Sequence, residues 1–308
     1  MRNDNTMTGR DQGLTAEEYC CFRELIERQT GVLLMDDKRL TFHMKVSHRL
    51  ALLGIGTYQE YYDAIMSDQE GRELGVLLSH LIDRDSCFFS DRKQFNLFSS
   101  VLKQITAVRR DTQPQSIKVL SAATGTGEEA YSINAVIHGN GLPSAGWDVT
   151  VTGMDFDESA IERAAEGRYS RDSFRDMNDR ESFIGAYFDT DGQTCTVKEL
   201  LRKHVGFRVG RLVDIWSFAG LGTQDVIFCR NVLSHMSGDG IQRAIRNMYR
   251  VLSDTGCLII GTSESLIRLT NFFVPEYIDN MVLYRKNPGI GLEHDALPDR
   301  DSLRGMAG

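Results

Sequence analysis

Apolar residues recur at helical spacing from Thr15 to about Ile105, as in Phe22, Leu25 and Ile26 and again in Leu50, Leu52 and Leu53, with no sustained alternation of period two. This pattern predicts an all-helical N-terminal unit. Gly31, Gly54 and Gly56 punctuate it, and Thr57 with Glu60 three residues on predicts a capping box that opens the helix YQEYYDAIM. After the polar stretch Arg109 to Gln115 the texture changes. Short apolar runs, IKVLS, VTVTGMD, DVIFCRN and CLIIGTS, now alternate with helical patterns, the rhythm of a parallel sheet with crossover helices. Between Phe174 and Phe207 lies a more polar insertion with YFDT, a hairpin turn expected at Asp191-Gly192, and TCTVKELL, which predicts a small antiparallel excursion. The expected organisation is a disordered N-terminus over 1–13, a helical domain over 14–105 and an α/β domain over 116–286. The α/β domain holds a small β subdomain at about 174–207, and a disordered tail follows over 287–308.

Composition narrows the class without changing this outline. A chain of 308 residues, 41% hydrophobic and 25% charged, can bury the core of two domains. The first ten residues, MRNDNTMTGR, are polar, so neither a signal peptide nor a spanning segment is expected, and cytoplasmic residence follows. Cys20, Cys21, Cys87, Cys195, Cys229 and Cys257 lack CxxC spacing and histidine companions, and so read as reduced core thiols with no metal site. A net charge of -8 disfavours nucleic acid as a partner, because phosphate neutralisation needs clustered Lys and Arg.

The strongest local signal is the run Val119-Leu120-Ser121-Ala122-Ala123-Thr124-Gly125-Thr126-Gly127-Glu128-Glu129, a strand leading through small residues into a helix. Small residues let the backbone approach a ligand at the carboxyl end of a strand, although the same run also suits a tight turn with no ligand. The acidic pair Glu128 and Glu129 would repel a pyrophosphate and attract an ammonium or a sulfonium, which favours S-adenosylmethionine over a dinucleotide. The next strand ends in Asp155, placed to accept hydrogen bonds from ribose hydroxyls or to cap the following helix, a role for which Asp157 is better placed.

With AATGTGEEAYS, MDFD, VIFCRNV and GTSES in that order, the chain resembles the chemotaxis-receptor glutamate methyltransferases (CheR), from about Phe22 to Arg285. The resemblance implies a class I methyltransferase-like α/β fold: a doubly wound mixed sheet, an N-terminal all-helical domain and a small antiparallel β insertion. It implies S-adenosylmethionine as cofactor and S-adenosylhomocysteine as product. Glu129 would hold the methionine amino group, Asp155 the ribose, and the Arg211-Leu212 segment the adenine side, with Ala123, Gly125, Gly127, Arg230 and Asn231 completing the wall. The segment LIDRDSCFFSDRKQF would close over the cofactor through Arg84, Ser86 and Ser90, with Ser86 in the place of a family Thr.

Methyl transfer to a carboxylate is an in-line displacement that needs alignment and exclusion of water rather than a general base. Two family positions near this chemistry differ here: FFR reads Phe88-Phe89-Ser90, and the Tyr after RNV is His235. The family's Asn at the positions of Arg84 and Arg211 is also replaced. Losing a charge-assisted contact to a carboxylate forfeits on the order of 1.5 to 3 kcal/mol. Arg84 or Arg92 could supply the charge from another direction. His235 could donate to a substrate oxygen with a pH dependence near neutrality, or be a semi-exposed residue with no role. Catalytic candidates are therefore His235, Ser90 and Arg92.

Lys38, Lys45 and Arg49 recur near one helix face, which the resemblance assigns to acidic helices of a receptor and which could equally be a solvated face. The insertion lacks a glycine-rich loop for a receptor's C-terminal peptide, so no such tether is expected. The leading hypothesis is a protein-glutamate O-methyltransferase. Its rival is a catalytically weak module that binds S-adenosylmethionine or S-adenosylhomocysteine and signals through a partner. A small-molecule methyltransferase is disfavoured by the helical domain.

Overall fold

The computed structural model describes residues 13–68, 71–81, 86–111 and 113–290. The expectations of disorder over 1–12 and 291–308 and of a cofactor contact by Arg84 lie outside the described residues. Helices α1 (Ala16–Thr30), α2 (Arg39–Leu53), α3 (Tyr58–Ser67) and α4 (Arg72–Leu81) form the helical unit. Capping boxes open α1 at Thr15/Glu18 and α3 at Thr57/Glu60, the latter as the spacing predicts. Gly31 and Gly54 close α1 and α2 in the left-handed conformation. Phe22, Ile26, Phe42, Val46, Tyr61 and Leu77 make a single core among these helices.

The basic face expected on α2 is altered. Arg49 forms a two-pronged, partly buried pair with Glu73 of α4, donating from Nε at 2.9 Å and Nη2 at 2.6 Å. Arg49 is therefore committed to holding α2 on α4. Leu40, Met44 and Leu52 stand exposed at intervals of four to eight residues, so an apolar stripe runs along the outer face of α2.

The α/β domain starts one helix earlier than the sequence pattern suggests. Helix α5 (Arg92–Val108) buries Phe95, Phe98, Val101 and Leu102 against the sheet and does not join the core of the helical unit. The elements then run β1 (Ser116–Ala122), α6 (Glu128–Gly139), β2 (Asp148–Asp155), α7 (Glu158–Glu166), β3 (Arg168–Ser170), α8 (Arg180–Tyr187), β4 (Phe188–Asp191), β5 (Thr194–Val197), α9 (Glu199–Arg202), β6 (Val205–Val209), β7 (Gln224–Cys229), α10 (Gly238–Val251), β8 (Leu252–Ile260), β9 (Phe273–Ile278) and β10 (Met281–Lys286). Seven strands form one sheet in the order β6-β2-β1-β7-β8-β10-β9, all parallel except β10, which is antiparallel to both β8 and β9. This is the doubly wound mixed sheet that was expected.

The apolar runs are explained by burial on both faces. In β7, Val226 and Phe228 face the core beneath α5 and α6, whereas Ile227 and Cys229 face the core beneath α10, and β8 divides its residues in the same way. The insertion is a separate three-stranded sheet, β3-β5-β4, that begins earlier than expected, while β6 at its far end belongs to the main sheet. Asp191 pairs with Thr194, which places the turn at Gly192 and Gln193, one residue beyond the expected Asp191-Gly192.

Cys87, Cys195, Cys229 and Cys257 are buried and free, but Cys20 and Cys21 are exposed on α1 rather than in a core. The expected tail begins in order: the Asn287 amide donates to the Phe272 carbonyl at 2.8 Å, and the Tyr249 hydroxyl donates to the Ile290 carbonyl. Among the described residues no helix is long and apolar enough to cross a membrane.

Candidate functional site

A cavity of about 260 Å³ opens at the carboxyl ends of β1, β2 and β7. Strand order departs in opposite directions on the two sides of β1, the place where open α/β sheets bind ligands. Of the residues expected to touch cofactor, Ser86, Ser90, Ala123, Gly125, Glu129, Asp155, Arg230 and Asn231 line this cavity, as does His235. Ala123 and Asn231 lie just beyond the neighbouring strands β1 and β7, and both adopt left-handed backbones, with φ of 62° and 57°. Such a conformation is costly for a side-chain-bearing residue and turns both chains sharply away from the sheet, leaving the strand ends open.

Two carboxylates are fixed at the rim. Glu129, in the first turn of α6, accepts from the Ser121 hydroxyl at 2.7 Å on one oxygen and from Arg230 Nη1 at 3.0 Å on the other. Asp155, at the end of β2, accepts from the Gly125 amide at 2.9 Å and the Asp157 amide at 3.1 Å. Asp157 takes the capping role for α7, accepting from the amides of Ser159 and Ala160. A carboxylate offers about four acceptor positions, so these bonds aim both groups without exhausting them.

Arg230 is the hub of the wall. Its guanidinium is almost wholly buried and donates to Gln94, to Glu129 and, at 2.6 Å, to the Ser90 carbonyl, and it stands 5.3 Å over the Phe95 ring. It therefore ties α5 and the Ser86–Asp91 segment to the end of β7. The same segment is held by the Phe89 amide donating to Ser132 and by the Cys87 thiol donating to Asp176 at 3.0 Å. Burial, followed by that contact with Asp176, pushes the Cys87 thiol up to about 11, so at neutral pH it is a protonated donor. On the far side, Glu264 accepts from the amides of Asn231, Ser234 and Gly261 and fixes the loop after β7.

Several expectations are corrected. Glu128 does not share the cavity with Glu129: it is buried and accepts from the hydroxyls of Ser86 and Thr126. Gly127 does not line the cavity. A Cβ there would meet Ala164 at 2.8 Å and the Tyr169 hydroxyl at 2.9 Å, so this glycine serves the packing of α6 on α7 and the small sheet. Arg92 points elsewhere, in a two-pronged salt bridge to Asp179 with both distances 2.9 Å, and supplies no charge to the cavity. Arg211 and Leu212 also stand outside it. Arg211 lines a neighbouring cavity of about 210 Å³ that shares Phe156 with the first, and its guanidinium donates to Gln29. Leu212 is buried in the core beneath α10.

Sequence reasoning missed Val32, Cys87, Thr124, Phe156 and Val232 as cavity residues, and Gln94, Ser121 and Glu264 as their supports. Glu264 lies in the GTSES run, and only its acidic character just beyond a strand end could have marked it. Val32 carries no signal in sequence, because it arrives from the helical unit.

The arrangement can hold a cation and a diol side by side at the rim, with Gly125 leaving open space where a side chain would stand. Comparison with known proteins agrees. Two family models match: "CheR methyltransferase, all-alpha domain" over residues 17–82, and "CheR methyltransferase, SAM binding domain" over residues 84–281. The chain is 26% identical over 292 residues to chemotaxis protein methyltransferase 2 of Vibrio cholerae, covering 94% of this chain and 97% of that one. It is 29% identical over 261 residues to chemotaxis protein methyltransferase 2 of Pseudomonas aeruginosa, covering 83% and 89%. A probable biofilm formation methyltransferase, WspC, of Pseudomonas putida is 27% identical over 236 residues, covering 77% and 54%.

Proposed function

The chain belongs to the CheR methyltransferase family, a family of SAM-dependent methyltransferases, and on that premise we propose that it methylates a glutamate carboxylate on a helical signalling protein of the chemoreceptor type. The observation that carries this reading is the pairing, in one cavity, of two rigidly aimed carboxylates with a hydroxyl and an imidazole near the end of β7. Glu129 receives the methionine ammonium and Asp155 the ribose. Phe156, shared with the cavity lined by Arg211, marks the route to the adenine. When bound, S-adenosylmethionine supplies an activated methyl group for in-line displacement.

The chain's own residues then have positioning tasks. Ser90 and His235 line the cavity and are able to donate hydrogen bonds to the acceptor carboxylate, replacing contacts that the family draws from Arg and Tyr. The carboxylate needs no base, so their task is to orient one of its oxygens and to limit water. The acceptor protein meets α2, where the exposed Leu40, Met44 and Leu52 suit the apolar seam of a helical bundle and Lys38 is exposed in the turn just before the helix. Such an acceptor places the reaction in the cytoplasm.

The test is a pair of measurements on the full chain. Calorimetric titration with S-adenosylmethionine and S-adenosylhomocysteine should give saturable binding that Glu129→Gln weakens. Tritiated-methyl transfer to a receptor cytoplasmic domain should fall in His235→Ala, and in Leu40→Asp combined with Met44→Asp, while cofactor binding persists. Binding without transfer to any receptor domain would replace this reading with a cofactor-sensing module.

A further inference from the structure

Val32 lies in the helical unit yet lines the cavity beside Val232 and His235, and the contact that brings it there is unusually constrained. Helix α1 ends at Thr30, and Gly31 turns the chain back with φ of 76°. A Cβ on Gly31 would stand 2.6 Å from Met236 Cε and 2.7 Å from Val213 Cγ1. A Cβ on Gly240, in the first turn of α10, would stand 2.7 Å from both the Cα and the carbonyl oxygen of Gly31. Two glycine backbones thus touch where the helical unit meets the α/β domain. From this contact the chain enters a short antiparallel bridge: the Leu33 amide donates to the His235 carbonyl and the Ser237 amide to the Gly31 carbonyl, both at 2.8 Å. Val32 pairs with Met236 between these bonds and is 5% exposed.

We infer that the helical unit supplies one wall of the acceptor end of the cavity through Val32, and that the bridge holding Val32 also sets the place of His235, making Val32 a specificity-determining residue for the methyl acceptor. The inference rests on the acceptor reading above for the identity of the group that Val32 meets. Its structural half, the coupling of residues 31–33 to His235, stands apart from it. Val32 has no polar atom to offer, so it acts by shape: a β-branched side chain with little rotamer freedom sets how wide a group fits between it and Val232. One methylene at such a wall changes discrimination by about 10- to 200-fold. His235 is exposed, and its backbone is held by its own amide donating to Val232 at 3.1 Å and, from the helical unit, by the Leu33 amide donating to its carbonyl, the bond that ties the base of the imidazole to residues 31–33.

The experiment uses the full chain with Val32→Ala, Val32→Phe and Gly240→Ala. Three readouts are compared: calorimetric Kd for S-adenosylmethionine, kcat and KM for a receptor cytoplasmic domain, and the imidazole cross-peaks of His235 by nuclear magnetic resonance. Val32→Phe is expected to lower kcat/KM for the acceptor by about tenfold or more, with the cofactor Kd held within about threefold. Gly240→Ala is expected to move the His235 cross-peaks while those of His138 and His204 stay in place as a check on folding. Equal losses in cofactor binding and in transfer would make Val32 a cofactor wall and overturn the inference, as would an unchanged kcat/KM in Val32→Phe. If the wild-type chain transfers no methyl group, the acceptor reading fails by itself. The His235 cross-peaks in Val32→Ala and Gly240→Ala then decide the coupling, and their constancy would overturn it.

Discussion

Glu129 and Arg230 are 101 residues apart in sequence and 3.0 Å apart in the fold, the carboxylate at the start of α6 and the guanidinium at the end of β7. Their side chains are 16% and 4% exposed, so the pair is effectively internal. It joins the start of α6 to the end of β7 and presets the carboxylate that we propose for the cofactor's ammonium.

Removing one member of a buried ion pair strands the other. Arg230→Met should therefore cost about 3 to 5 kcal/mol of stability, read from the urea midpoint at neutral pH. It should also free the Ser90 carbonyl and expose the Ser86–Asp91 segment to faster amide exchange. A variant as stable as wild type would show that the pair does not anchor the wall.

Glu129→Gln and Asp155→Asn both test affinity, and Glu129→Gln, which strands the buried Arg230, should lose stability as well. Each loses a charge-assisted contact worth about 1.5 to 3 kcal/mol, so the Kd for S-adenosylmethionine should rise by roughly ten- to a hundredfold in either variant. Equilibrium dialysis checks this. Unchanged affinity in Asp155→Asn would remove this residue from the ribose site.

Gly125 and Gly127 look alike in sequence and should behave differently. Gly127→Ala forces a Cβ into Ala164 and Tyr169 in addition to its left-handed backbone, and should destabilise by about 1 to 3 kcal/mol. Gly125→Ala carries the backbone cost alone, about 1 kcal/mol, and should show its larger effect on cofactor Kd, because its Cβ enters open space at the cavity. Thermal denaturation and titration of both variants check the contrast.

The helical unit should be acid-sensitive through Glu73. Burial pushes this carboxyl up, but the hydrogen bonds from Arg49 and from the Tyr61 hydroxyl outweigh it and hold the carboxyl below its ordinary value. A folded-state value that is depressed means that the unfolded chain binds more protons. The stabilisation is then fully present above the ordinary carboxyl range and is lost as pH falls through the depressed folded value. Glu73→Gln should be less stable than wild type at pH 7, with the gap narrowing below about pH 4. Denaturant midpoints across that range check it.

How much of this was legible in sequence depends on which residues carried the contacts. Strand β7 and the second half of β8 announce themselves, because a strand buried on both faces must be apolar, as in Val226 to Cys229, whereas β2 is legible by alternation, with Val149 and Val151 buried between exposed Asp148 and Thr150. The capping box at Thr57 and Glu60 is equally local. The β9–β10 hairpin went unread because it lies at the sheet edge with Val274 and Tyr277 exposed and Pro275 within it. Its two-residue turn, Asp279-Asn280 with both φ positive, was the available signal.

In the site, Glu129 and Asp155 were readable because Asp155 closes β2 and Glu129 opens the helix after β1. Arg92 was misread because its partner Asp179 lies 87 residues away in the insertion. Gln94 and Val32 were invisible for the same reason: their roles exist only once distant segments meet.

The central claim is that the acceptor is a carboxylate, and the most direct test is the chemistry of the transferred label. The protein is incubated with tritiated-methyl S-adenosylmethionine and a receptor cytoplasmic domain, and the labelled domain is treated with mild alkali. A methyl ester releases its label as volatile methanol, and that release is the predicted result. Label that survives alkali would place the methyl group on nitrogen, sulfur or carbon and contradict the account.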